Sequence, residues 1–207
     1  MSLGSMRPSG KVTMKKLTTP KAPILWRAKN LINLVRAFPA LVLARIGGAT
    51  TGMVWAESTL SLKKLSPAGV VDYGVVSHRV VTDTFVAALV TSLRTNASPG
   101  TFKYHGLGAN TQVESATDTA LLGEFQSEYA VANVRVTGTQ ANTGTNIYVT
   151  VGTHTFSANV AVTEHGVFDN ATQGSGVLMD RSKFAVINLQ TGESLQSTYS
   201  LTIQSGG

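Results

Sequence analysis

The chain contains no cysteine. That single absence removes disulfides, thiolate metal sites and thiol nucleophiles together. Charge is scarce as well: Asp, Glu, Lys and Arg make up 14% of the 207 residues, against about a quarter in ordinary globular chains. No uncharged apolar run reaches the roughly 18 residues of a membrane-spanning helix, because Arg36 and Arg45 interrupt the best candidate. The same arginines do not suit the apolar core of a signal peptide. No repeat of fixed period is present, which sets aside solenoids and propellers.

Acidic residues are nearly missing from the first third. Up to Lys64 there is one, Glu57, against eleven Lys or Arg, a balance of +10; from Leu65 onward ten acids face six bases, a balance of −4. The chain therefore divides into a basic N-terminal arm, 1–64, and a mildly acidic body, 65–207. Such asymmetry points the arm towards an acidic partner, a nucleic acid or an anionic membrane.

Signatures of catalysis are also wanting. No Ser lies in a GxSxG elbow, no HExxH is present, and Gly106-Leu107-Gly108 is too short for a dinucleotide fingerprint. Glu164 and His165 could be drawn with His105 and Asp118 as a metal site, but no His pair has helical ligand spacing. The expectation is a non-enzymatic chain with no cofactor and no metal, its histidines hydrogen-bonded beside glycine turns.

What is plentiful is Thr, Ser, Val and Gly, the composition of a β protein that hides much of its surface against neighbours. Residues 195–204, LQSTYSLTIQ, alternate most clearly: Leu195, Tyr199, Leu201 and Ile203 share one parity with Ser197, and polar residues fill the other. A period of two puts these sets on opposite faces of a strand. Further strands are expected at 70–81, 102–108, 131–139, 147–156, 160–168 and 177–189, with 141–145 as a hairpin loop and Gly74 as a bulge. A helix is expected after an N-cap at Thr82 or Asp83, with Phe85, Val86, Leu89, Val90 and Leu93 at helical spacing. Residues 115–124 read as a helical turn or structured loop, and 52–62 fit a helix or a strand equally. Together these predict a mainly β fold: an antiparallel, jelly-roll-like β-sandwich body with one helix, plus a basic, partly helical arm.

In that arm, Ile24, Ala28, Leu31, Val35 and Phe38 recur at spacings of four and three, while Arg27, Lys29 and Arg36 lie on the other side. This predicts a basic amphipathic helix over 24–38, stopped at Pro39. Packing on the protein's own body or on a sister subunit is the first reading. A membrane-surface helix is the second. A nucleic-acid arm is the third, for want of interleaved aromatics.

Three stretches carry a resemblance: VDYGVVSHRVVTDTFV (71–86), FKYHGLGANTQVESATDTALLGE (102–124), and TEHGVF (163–168) followed by GVLMDRSKFAVINLQTGESLQSTYSLTI (176–203). Together they resemble a family of tailed-bacteriophage virion proteins over roughly the last two-thirds of the chain. The resemblance implies a structural protein located in the virion. Its foremost expected role is to decorate or cement the capsid, docked through its arm on the major capsid protein or other virion proteins. The alternatives are a neck or tail adaptor, a fibre-like tail part, or a host-glycan-binding module. The expected oligomer is a trimer, without specific nucleic-acid binding or membrane contact. The candidate partner-binding residues are Lys11, Lys15, Lys16, Lys21, Arg27, Lys29, Leu31, Val35, Arg36 and Phe38.

Overall fold

The computed structural model describes residues 19–35, 54–79, 81–98, 101–131 and 133–205. The leader 1–18 and the segment 36–53 lie outside the described residues, and with them Lys11, Lys15, Lys16, Arg36 and Phe38. A first helix, α1, covers 24–35. Among the described residues, nine strands and a second helix follow: β1 (Val54–Ser66), β2 (Gly69–Arg79), α2 (Asp83–Thr95), β3 (Tyr104–Gly108), β4 (Val136–Thr137), β5 (Thr139–Gly144), β6 (Ile147–Thr155), β7 (Val160–Phe168), β8 (Leu178–Leu189) and β9 (Ser194–Ser205). They form two antiparallel sheets packed face to face, ordered β2-β1-β9-β6-β5 and β4-β3-β7-β8, which is the expected β-sandwich with one body helix. Hairpins β1–β2, β5–β6 and β7–β8 stay within a sheet, whereas the β4–β5, β6–β7 and β8–β9 connections cross between sheets.

The alternation read at the C-terminus places β9 at the centre. Leu195, Ser197, Tyr199 and Leu201 all point into the core. β9 pairs with β1 on one side and β6 on the other. The described part of the undecided stretch, from Val54 onward, thus resolves as strand, and the expected boundary between residues 64 and 65 falls inside β1. The sheet claims residues from Val54 onward because Leu60 and Leu62, on one parity, are fully buried beneath it.

Two further expectations change. The strand expected over 131–139 is largely irregular, with only Val136–Thr137 pairing to β3. The expected hairpin loop 141–145 lies mostly in β5, and the turn is at Thr145–Asn146. In both cases polar or isolated apolar residues gave no alternation to read. Gly74 does serve a bulge: its φ is +67°, and the register slips there so that Tyr73 falls out of the pairing with β1.

The core has two apolar lobes. One gathers Leu60, Leu62, Leu107, Phe156, Phe184 and Ile187; the other gathers Phe85, Phe102, Val167, Met179, Tyr199 and Leu201 beneath α2. Thr82 caps α2, accepting from the Phe85 N–H at 3.3 Å, and its hydroxyl also donates to the Leu178 carbonyl, tying the helix to β8. Asn96, in the left-handed region at φ 51°, ends it.

Candidate interaction surface

The polar groups drawn together by sequence separate once strand geometry is imposed. Glu164 and His165 are neighbours on β7, so their side chains leave opposite faces of the sheet. His165 turns inward to His105, with Nε2 and Nδ1 2.9 Å apart. His105 reaches Thr150 Oγ1 at 3.1 Å, and His154 Nε2 donates to the His105 carbonyl at 2.8 Å. All three rings are buried. The ring of His105 fits because Gly138 and Gly152 face it: a Cβ at Gly152 would lie 2.8 Å from the ring, and one at Gly138 would collide with it. If His165 donates to His105 and His105 to Thr150, what stays unpaired on His165 is the Nδ1 lone pair rather than an N–H. That is the cheaper arrangement. Burial holds His105 down to about 3 and His154 to about 4, and His165 also titrates well below its ordinary value.

Glu164 turns outward instead. It accepts from Arg181 Nε at 2.8 Å and from the Gly123 N–H at 2.7 Å, and Arg181 also meets Asp118 at 3.0 Å. Asp180, the sequence neighbour of Arg181, faces the interior and accepts from Ser58 and Ser182 at 2.6 and 2.8 Å. Asp180 and Arg181 therefore serve opposite faces of β8. Among the described residues no three His, Asp or Glu side chains are arranged to hold a metal. Gly166 supports no turn. It lies within β7, where a Cβ would meet Leu178 at 2.9 Å.

One accessible surface lies on the flank where β2 faces β8. There α1 closes the mouth of the sandwich with its polar side. Asn30 donates to the Val76 carbonyl of β2 at 2.8 Å and accepts from the Ala185 N–H of β8 at 2.9 Å, so one amide joins the edges of both sheets. Trp26 donates to the Ala185 and Val186 carbonyls and meets the bulged Tyr73 ring edge-on at 4.7 Å. Just before the helix, Ala22 N–H donates to the Asp72 carbonyl and Asp72 N–H to that of Pro20, extending the β2 edge. Asn33 is buried beside Asn30, its amide donating to the Asn30 side chain at 3.3 Å.

The described part of the predicted apolar stripe, up to Val35, consequently faces solvent. Ile24 is 83% exposed, Leu31 56% and Val35 58%, with Leu25 and Ile32 similarly open. Lys21, Arg27 and Lys29 are exposed beside them. Of the predicted partner-binding set, the structure therefore brings Arg27, Lys29, Leu31 and Val35 together on the accessible side of α1, with Lys21 exposed just before it, bridged to β2 at Asp72. The residues that fix the helix, Trp26, Asn30 and Asn33, were missed. They too recur at spacings of four and three, the one signal that could have found them. On the same flank α2 turns Val86, Val90 and Leu93 outward and buries only Phe85 fully. The two helices meet β8 at separate points, α2 at Leu178–Met179 and α1 at Ala185–Val186.

No model of a known protein family matches the chain, and no curated protein matches it.

Proposed function

We propose that this protein is a structural component of a tailed-phage virion, held to the major capsid protein or another virion protein through the flank that carries α1 and α2. The observation that carries the reading is the orientation of α1. Its amide and indole groups are committed to the sandwich, while its apolar stripe and its cations face away from it. Contiguous exposed apolar surface of this kind marks a protein contact. Arg27 and Lys29 beside the stripe suit an acidic rim on the partner. The resemblance to phage virion proteins supplies the setting, and decoration or cementing of the capsid is the role preferred within it.

The test is co-sedimentation of the purified full chain with particles that lack it. Leu31→Glu with Val35→Glu should leave the chain folded, since both residues are exposed, and should cut particle occupancy at least tenfold. Full occupancy by this double variant would overturn the reading. Copy number in the reconstituted particle separates decoration, with hundreds of copies, from a neck or tail position with about a dozen or fewer.

A further inference from the structure

We propose that β5 is a self-pairing edge, on which a second copy of this chain lays its own β5 antiparallel to join two five-stranded sheets into one. The other long edges of the sandwich are covered. Pro20 to Ala22 pair along β2, while Trp26, Asn30 and Thr82 occupy backbone groups of β8. The fourth edge strand, β4, is two residues long. Covering, shortening and charging are the ordinary ways in which proteins protect sheet edges. β5 is six residues long, and among the described residues β6 is the one strand that pairs with it.

β5 also overhangs. Contacts between β2 and β8 and between β4 and β6 align the two sheets, so among the described residues the fifth strand of the larger sheet has no strand opposite it. Thr139, Gln140, Ala141 and Thr143 are all exposed as a result.

Charge identifies the occupant. From Val136 to Thr163 there is no Asp, Glu, Lys or Arg, so the whole β5–β6 hairpin is uncharged in a chain of net charge +6. When a strand pairs with its own copy across a twofold axis, each charge it carries is brought near its twin. An uncharged hairpin removes that repulsion, whereas a foreign charged segment would find nothing here to pair with. Proline is likewise missing from the hairpin, so every residue of β5 keeps its backbone donor. The main chain thus supplies the attraction, as in other strand additions.

The experiment is sedimentation equilibrium on the full chain and on two single variants, Ala141→Lys and Ala141→Asp, with circular dichroism as the check on folding. The wild type should form a dimer. Each variant alone should associate at least tenfold more weakly, and an equimolar mixture of the two should recover association as a mixed dimer. A monomeric wild type, or variants that dimerise as well as the wild type, would overturn the proposal. So would a mixture no tighter than its components. Trimers lost on deleting residues 1–18 but kept in Ala141→Lys would assign the contact to the leader and also overturn it. Particle occupancy through α1 is read separately, so either proposal can fail without the other.

Discussion

Asn30 satisfies two backbone groups on strands of different sheets, and no apolar residue of its size could do so. Replacing it with Leu would leave the Val76 carbonyl and the Ala185 N–H without their partner in a buried place. Each such loss costs about 1–3 kcal/mol. Asn30→Leu should therefore lower unfolding free energy by about 2–6 kcal/mol, read from urea denaturation, even though it raises the hydrophobicity of the helix. The three buried histidines give a second expectation at this scale. Their rings stay neutral in the folded chain down to about pH 4 or below, whereas in the unfolded chain they take up protons near pH 6.5. Stability should be level above pH 7 and fall as pH drops from about 6.5 towards 4, by about 1.4 kcal/mol per pH unit for each ring. His154→Gln keeps a donor for the His105 carbonyl but removes one titrating ring. The slope of unfolding free energy against pH between 6 and 5 should then shrink by about one proton in three. An unchanged slope would mean that the buried rings do not govern acid stability.

At the scale of elements, the long connection from residue 109 to Arg135 is held in two ways: Leu121, Phe125 and Tyr129 are buried in the apolar clusters, and a buried charge ties its far end. Arg135 forms a two-pronged pair with Glu124 at 2.6 and 2.9 Å, donates to the Asn170, Thr172 and Ser175 carbonyls, and lies 3.3 Å over the Phe168 ring. Breaking one side of such a buried pair costs about 3–5 kcal/mol, because the remaining charge is stranded. Arg135→Met should accordingly destabilise the chain by that order. Hydrogen exchange should also rise across 118–130 before it rises in β7. The other elements differ in how far they could be read from residues alone. α2, β6 and β9 were legible because their apolar residues keep a period of 3.6 or two over a useful length, and β2, β7 and β8 because they are short apolar, β-branched runs bounded by polar or turn residues. β5 was not, since Thr, Gln, Ala and Asn carry no hydrophobic pattern, and its place in the sheet is decided by β6. The helix at 24–35 was legible as a helix. Which face it buries was not, because an apolar stripe is ordinarily the buried one. The choice of the Trp26–Asn30–Asn33 face follows from two unpaired sheet edges that only the folded sandwich creates.

For the whole molecule, the division expected from charge becomes a division by role. The cationic first third enters the fold twice, as the strand β1 at the heart of the larger sheet and as the helix that closes the β2–β8 mouth. Deleting 1–38 would thus remove both the proposed contact surface and the groups that cover two sheet edges, whereas substitutions on the outer stripe separate the two roles. The histidine pair that sequence alone could draw as a metal site is instead part of the polar layer between two apolar lobes. None of this was available from composition, which cannot tell an inward-facing from an outward-facing residue on the same strand. The central claim is that α1 keeps its Trp26 side on its own subunit and offers its Leu31 side to another protein. Hydroxyl-radical footprinting of the free chain and of the chain bound to particles tests it most directly. Trp26 should be protected in both states, and Leu31, Ile32 and Val35 should be labelled when free and protected when bound. Heavy labelling of Trp26 in the free chain, or unchanged labelling of the stripe on particles, would contradict it.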